Sequence, residues 1–93
     1  MVEVNEYFNG NVKSLVVNSS KGRKTVGVIM PGDYEFNTKS KETMTVITGM
    51  LSVYLSEYKE WEEFGPGSSF DAPANSSFKV RADEDTAYLC EYQ

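Results

Sequence analysis

The sequence contains no histidine. That absence removes the Ser-His-Asp triad, the Cys-His pair and the imidazole ligands that usually hold zinc, iron or nickel. The single cysteine, Cys90, therefore has no imidazole to activate it. It falls in the alternating run Tyr88-Leu89-Cys90-Glu91-Tyr92 and reads as a small core residue, not a nucleophile. No Gly-x-x-x-x-Gly-Lys loop is present, so nucleoside triphosphate binding has no support. What remains is the chemistry of carboxylates, guanidinium, hydroxyls and aromatic rings. Glu42 lies in Lys39-Ser40-Lys41-Glu42, which on charge pattern alone is a solvated turn. Arg23, in Lys21-Gly22-Arg23-Lys24, has the fork to grip an anion, or belongs to a solvated hairpin loop. Lys13 and Arg81 are weaker cation candidates, since both sit in alternating strands with an expected polar outer face. Thr38, Thr45 and Ser76 offer hydroxyls, although Thr is also simply a good strand residue. Tyr34, Phe36, Phe78 and Tyr88 offer rings, although inward aromatics in a small β domain are most often core.

The bulk properties narrow the partners. A chain of 93 residues supports one domain, residues 1–93, with a modest core that benefits from a partner subunit or a tightly closed sheet. The net charge of −5 repels phosphate backbones and argues against sequence-independent nucleic-acid binding. It leaves room for a mononucleoside or free phosphate in a locally basic pocket. One cysteine permits no intrachain disulfide, and Met1 to Glu6 lacks the basic-then-apolar layout of a signal peptide, so a cytoplasmic location is expected. No apolar run reaches the roughly 18 residues of a membrane helix, so no membrane partner is expected.

Those residues must be positioned by strands. Period-two alternation rich in Val, Ile, Thr and Tyr predicts strands at Val12 to Val17, Lys24 to Met30, Tyr34 to Asn37, Thr43 to Thr48 and Leu51 to Leu55. Further strands are expected at Trp61 to Phe64, Ser69 to Ala72, Ser77 to Ala82 and Thr86 to Tyr92. Asn18 to Gly22, Pro31-Gly32-Asp33, Gly65-Pro66-Gly67 and Pro73-Ala74-Asn75 punctuate them. Gly49-Met50 joins two strongly alternating runs and predicts a tight hairpin. Tyr58, Trp61 and Phe64 are spaced by three, but the stretch has no N-cap signal and ends at Gly-Pro, which predicts a loop leading into a strand. Many short, evenly spaced strands with little or no helix mean an all-β sandwich or barrel.

The order of the punctuation follows the two cupin motifs. Pro31-Gly32, then Glu42, then six residues to Gly49 match the first; Pro66-Gly67, Pro73 and Phe78 match the second. The chain thus resembles a cupin-type, jelly-roll-like β-barrel. Where a metal cupin carries histidines, this chain has Tyr34, Phe36, Thr38 and Phe78. Glu42 keeps the glutamate position, but one carboxylate does not hold a catalytic divalent ion in that way, so no metal and no cofactor are expected. The ordered set Asn5-Glu6-Tyr7-Phe8, Gly22-Arg23, Pro31-Gly32-Asp33-Tyr34-Glu35-Phe36, Met44 to Gly49, Phe70-Asp71-Ala72-Pro73 and Tyr88 to Tyr92 resembles the bacterial pyrimidine/purine nucleoside phosphorylases. The likeness runs from Asn5 to Tyr92, matching less well around Ala74-Asn75 and from Tyr58 to Phe64.

The resemblance implies phosphorolysis of purine and pyrimidine nucleosides to free base and ribose 1-phosphate. Such a reaction passes through a ribosyl centre with oxocarbenium character, and positioning and fixed dipoles can supply much of its rate. On that reading Glu42 is the catalytic carboxylate, accepting hydrogen bonds from ribose hydroxyls or favouring the cationic ring. Arg23, Thr38, Thr45 and Ser76 become candidates for phosphate and ribose, and Tyr34, Phe36, Phe78 and Tyr88 for the base, since every base has a π face. The partners are then nucleosides and inorganic phosphate. A homodimer is expected, from the exposed sheet edges of so small a domain and from the habit of the family. The alternative is a non-catalytic cupin module that binds a small polar ligand. A metal-dependent isomerase or oxygenase of the wider cupin group is disfavoured by the missing histidines.

Overall fold

A computed structural model describes residues 1–93. Its strands are β1 (Val4–Tyr7), β2 (Val12–Ser19), β3 (Gly22–Ile29), β4 (Gly32–Thr38) and β5 (Glu42–Thr48). They continue with β6 (Leu51–Leu55), β7 (Glu60–Phe64), β8 (Ser69–Ala72), β9 (Ser76–Ala82) and β10 (Thr86–Tyr92). A single 3-10 turn, Phe8–Gly10, separates β1 from β2. All nine expected strands are present, several of them longer by one or two residues. The additional strand, β1, carries no inward apolar alternation of its own. It exists because it pairs with β2, from Val4 opposite Leu15 to Tyr7 opposite Val12.

All pairings are antiparallel and fall into two sheets. The larger runs β1-β2-β3-β10-β5-β8 and the smaller β4-β9-β6-β7. Their inner faces meet in one core of 16 buried residues, among them Val12, Ile29, Val46, Leu51, Val53 and Val80. Each such aliphatic side chain contributes about 1.5–3 kcal/mol by leaving water. The period of two is visible in β9, where Phe78, Val80 and Ala82 are buried while Lys79 and Arg81 are exposed. The architecture is the expected cupin-type jelly roll, open rather than closed into a barrel, because no ladder joins one sheet to the other. Its edges are protected differently: β1 and β8 are only four residues long, and β7 carries Glu60, Glu62 and Glu63.

The chain crosses from the large sheet to the small one at Gly49. There φ is +93°, and a Cβ would run into the Thr86 hydroxyl and stand 2.8 Å from the Asp85 carbonyl oxygen. Thr86 is fully buried. Its hydroxyl accepts from the Met50 amide at 3.2 Å, and lies 3.2 Å from the Met50 carbonyl and 3.1 Å from that of Glu84. The tight turn expected at Gly49-Met50 is present but is not a hairpin: β5 and β6 do not pair and lie in different sheets. The turn is a crossover, and Thr86 ties it to the start of β10. Gly49→Ala combines a left-handed backbone with a backbone clash and should lower the free energy of unfolding by about 3 kcal/mol. Urea denaturation followed by circular dichroism checks this; an unchanged midpoint would mean the turn relaxes freely.

Candidate functional site

At the end of the sandwich opposite Gly49 the core gives way to a cavity of about 700 Å³. The register explains which side chains reach it. Arg23 on β3, Tyr92 on β10 and Glu42 on β5 occupy the same inward row, with Glu91 paired to Lys24 and Tyr92 paired to Glu42. One row deeper lie Thr25, Cys90 and Met44, and deeper again Ser14, Gly27 and Tyr88. The small sheet supplies Phe36 from β4 and Phe78 from β9, stacked with centroids 5.6 Å apart and planes 26° from parallel. Tyr7 and Phe8 complete the wall from the first hairpin, and Lys39 and Ser40 from the loop between β4 and β5. One side of the cavity is thus aromatic and the other charged and hydroxylated.

The floor depends on a missing side chain. A Cβ on Gly27 would stand 2.6 Å from the Tyr88 ring, so only glycine lets that ring lie across β3. Burial raises the Tyr88 hydroxyl above its ordinary pKa, opposed by a hydrogen bond with Ser14, and the phenol stays neutral.

The Glu42 carboxyl titrates above the ordinary carboxylate range. Burial raises its pKa, while a hydrogen bond from Cys90 and the charge of Arg23 pull it back down. The Cys90 thiol donates to Glu42 Oε1 at 3.4 Å. Burial first, and then the neighbouring carboxylate, push that thiol up to about 12, so it remains a protonated donor. Tyr92 is likewise pushed up to about 12, chiefly by burial, with the Thr25 hydroxyl 3.3 Å away opposing the shift. The Arg23 guanidinium lies 4.9 Å from the centre of the Tyr92 ring, a cation–π contact. It does not pair with a carboxylate.

Of the residues expected from sequence, the cavity gathers Glu42, Arg23, Phe36, Phe78 and Tyr88. Four others lie outside its lining, each for a physical reason. Thr45 faces the other side of β5, where its hydroxyl meets that of Ser69 at 2.8 Å, because a strand cannot turn residues 42 and 45 to one face. Thr38 is buried and occupied: it donates to the Pro73 carbonyl at 2.6 Å and accepts from the Ser76 amide at 3.0 Å. Ser76 uses its backbone in that same clasp, and its hydroxyl turns toward the Ser77 carbonyl at 3.5 Å. Tyr34 packs in the core and donates to the Met30 carbonyl at 2.7 Å. The weaker cations behave as outer-face residues, Arg81 pairing with Asp33 at 2.7 Å. Sequence reasoning missed Tyr7, Phe8, Ser14, Lys39 and Tyr92. Tyr92 was within reach, since it shares the parity of Tyr88 and Cys90.

No three His, Cys, Asp or Glu side chains come together in a way that could hold a metal ion. The donor set of a metal cupin does not fit this cavity. Residues 2–92 match the family described as pyrimidine/purine nucleoside phosphorylase. The chain belongs to this family. A pyrimidine/purine nucleoside phosphorylase of Hahella chejuensis is 52% identical over 92 residues, covering 99% of each chain. One from Pseudomonas fluorescens is 50% identical over 93 residues, 100% of this chain and 99% of that one. Among solved structures, a Vibrio parahaemolyticus protein of unknown function superposes with a TM-score of 0.95 at 43% identity, covering 100% of this chain and 99% of the other. An RmlC-like cupin from Shewanella frigidimarina superposes with a TM-score of 0.73 at 12% identity, covering 96% and 80%, which identifies the fold.

In this pyrimidine/purine nucleoside phosphorylase family member the Cys90 hydrogen bond is one of the two forces holding Glu42 ionised. Cys90→Ala should therefore move the Glu42 carboxyl titration to higher pH, whereas Cys90→Ser, which keeps a donor, should largely restore it. Carbon-detected NMR of the carboxyl group reads this directly; a midpoint that stays put or falls in the alanine variant would contradict it.

Proposed function

We propose that this protein is a metal-independent phosphorylase of broad specificity, acting on purine and pyrimidine nucleosides in the cytoplasm. The observation that carries this reading is the two-sided cavity: an aromatic wall of Phe36 and Phe78 faces the row Arg23, Tyr92, Glu42. A nucleoside is two-sided in the same sense, with a flat base and a hydroxylated sugar. Its base packs against the rings, which accept any π face. Its ribose reaches Glu42, and phosphate is attracted to Arg23, whose guanidinium is free of carboxylates. In the reaction the C1′–N bond breaks with its electron pair going to the base. A phosphate oxygen forms the new bond to C1′, and the proton of hydrogen phosphate ends on the base. Glu42 stabilises the positive charge that gathers at C1′ and the ring oxygen. No step calls for a metal, in keeping with the donor set of the cavity. Thr38, Thr45, Ser76 and Tyr34 take no part in this scheme.

The test is release of base from inosine and uridine, with and without phosphate, in the presence of a chelator. Phosphate-dependent release from both, unaffected by the chelator, is expected. Release without phosphate would make the protein a hydrolase, and saturable binding without release would make it a binding module. Because Glu42 has a raised pKa in the folded protein, its ionised form destabilises the fold, and that cost grows as pH rises through the raised pKa. Glu42→Gln should therefore melt no lower than the parent at neutral pH while losing about a hundredfold in kcat. Wild-type turnover in that variant would misplace the site.

We also infer a homodimer. Val4, Leu15, Val26 and Leu89 form one cross-strand row on the outer face of the large sheet, with Val17 and Val28 exposed beside it. The row itself carries no charge, so two copies each carrying −5 meet at least electrostatic cost across it. The protein should sediment at twice the chain mass, and a Leu15→Glu, Val26→Glu double variant as a monomer. A wild-type monomer would overturn this.

A further inference from the structure

The first hairpin contains an expensive backbone. Phe8, Asn9 and Gly10 are consecutive residues with φ of 53°, 58° and 88°. Glycine adopts these angles freely and asparagine tolerates them, but a phenylalanine there is strained. The turn is otherwise well made, closed by the Asn11 amide donating to the Phe8 carbonyl at 3.1 Å. It is flanked by the paired residues Tyr7 and Val12. The strained residue is not a core residue either, since Phe8 remains 41% exposed. Its ring stands at the mouth of the cavity, 5.6 Å from Phe36 and nearly perpendicular to it, and 5.0 Å from Tyr34. With Phe36 stacked on Phe78, the three rings follow one another from the cavity's interior to its rim, with Phe8 outermost and turned edge-on to Phe36.

Strain that burial does not require is the mark of a residue kept for its side chain. We propose that Phe8 is a specificity-determining residue of the site, forming the outer end of the surface on which the nucleobase packs. The proposal rests on the nucleoside reading given above. It also deepens it, because the length of this row of rings sets which bases profit. A one-ring pyrimidine is covered by the inner rings, whereas a two-ring purine extends further toward the rim and contacts Phe8. Phe8 offers no hydrogen bond, so it discriminates by size of the π surface and not by base identity.

The experiment compares Phe8→Gly, Phe8→Leu and Phe8→Tyr with the parent. Three readouts are taken: KM and kcat for inosine and uridine, calorimetric binding of each nucleoside without phosphate, and melting temperature. Phe8→Gly relieves the backbone and should melt at or above the parent. Its KM for inosine should rise about tenfold, more than its KM for uridine, with the change in KM far exceeding that in kcat. Phe8→Tyr should behave as the parent, and Phe8→Leu, which keeps bulk without the ring, should not. Unchanged binding of inosine by Phe8→Gly overturns the proposal, as does weakened binding accompanied by a lower melting temperature, which would make Phe8 a structural prop. If the parent binds inosine and uridine while the glycine variant binds both as tightly, the Phe8 proposal alone fails. If the parent neither binds nor cleaves either nucleoside, the nucleoside reading fails and takes the proposal with it.

Discussion

The contact between the bare Cα of Gly49 and the buried Thr86 hydroxyl governs the site from the far end of the sandwich. Thr86 opens β10 and Gly49 closes β5, so their meeting fixes how those two strands pair along their whole length. The consequence arrives at Glu42, where the antiparallel ladder ends opposite Tyr92. Side chains on a strand alternate, so a slip of one residue would turn Glu42 to solvent and bring Thr43 into the cavity. The irregular register between Ala87 and Tyr88 adds one unit of offset close to the clamp, and the rest of the ladder inherits it. The lining of the cavity at one end of this fold is thus set by steric exclusion at the other.

The same alternation explains how a small domain affords both a core and a cavity. Within each inner face the residues nearest the clamp are aliphatic, as in Ile29, Val46 and Leu51, all essentially inaccessible. Toward the open end they are replaced by Ser14, Thr25, Cys90 and large rings. These groups remain bonded, and no buried side-chain polar atom lacks a partner, so the cavity adds no unsatisfied donor or acceptor. Gly27 shows the method most clearly. Omitting one Cβ lets the Tyr88 ring cover the backbone of β3, making a smooth aromatic floor where an aliphatic residue would have filled the space.

Much of this was legible from the sequence, and the failures follow a pattern. Strands rich in alternating Val, Ile and Tyr announced themselves, but Val4–Tyr7 did not, since its inward residues are Asn5 and Tyr7 and its existence depends on pairing with β2. That omission hid Phe8 as well, whose φ is not written in its type. Glu42 became visible only through the spacing of Pro31-Gly32 and Gly49; its local charge pattern describes an ordinary turn. Parity alone would have excluded Thr45 once Glu42 was chosen and would have included Tyr92 beside Cys90. Thr38 was beyond reach from sequence, because its hydroxyl is consumed by Pro73, 35 residues away, and no pattern encodes which of several inward hydroxyls is already bonded.

The placement of Tyr92 between Arg23 and Glu42 has a meaning larger than its contacts. Adjacent strands lie about 4.8 Å apart, so the guanidinium and the carboxylate face the cavity from strands separated by a third, with an aromatic ring between them. Held apart in this way, the two charges do not quench each other. They form a permanent dipole across the entrance, positive on one strand and negative two strands over. On the proposed reading, phosphate meets the positive end of this field and the charge that gathers at C1′ during the reaction meets the negative end, so the field favours one orientation of the bound pair.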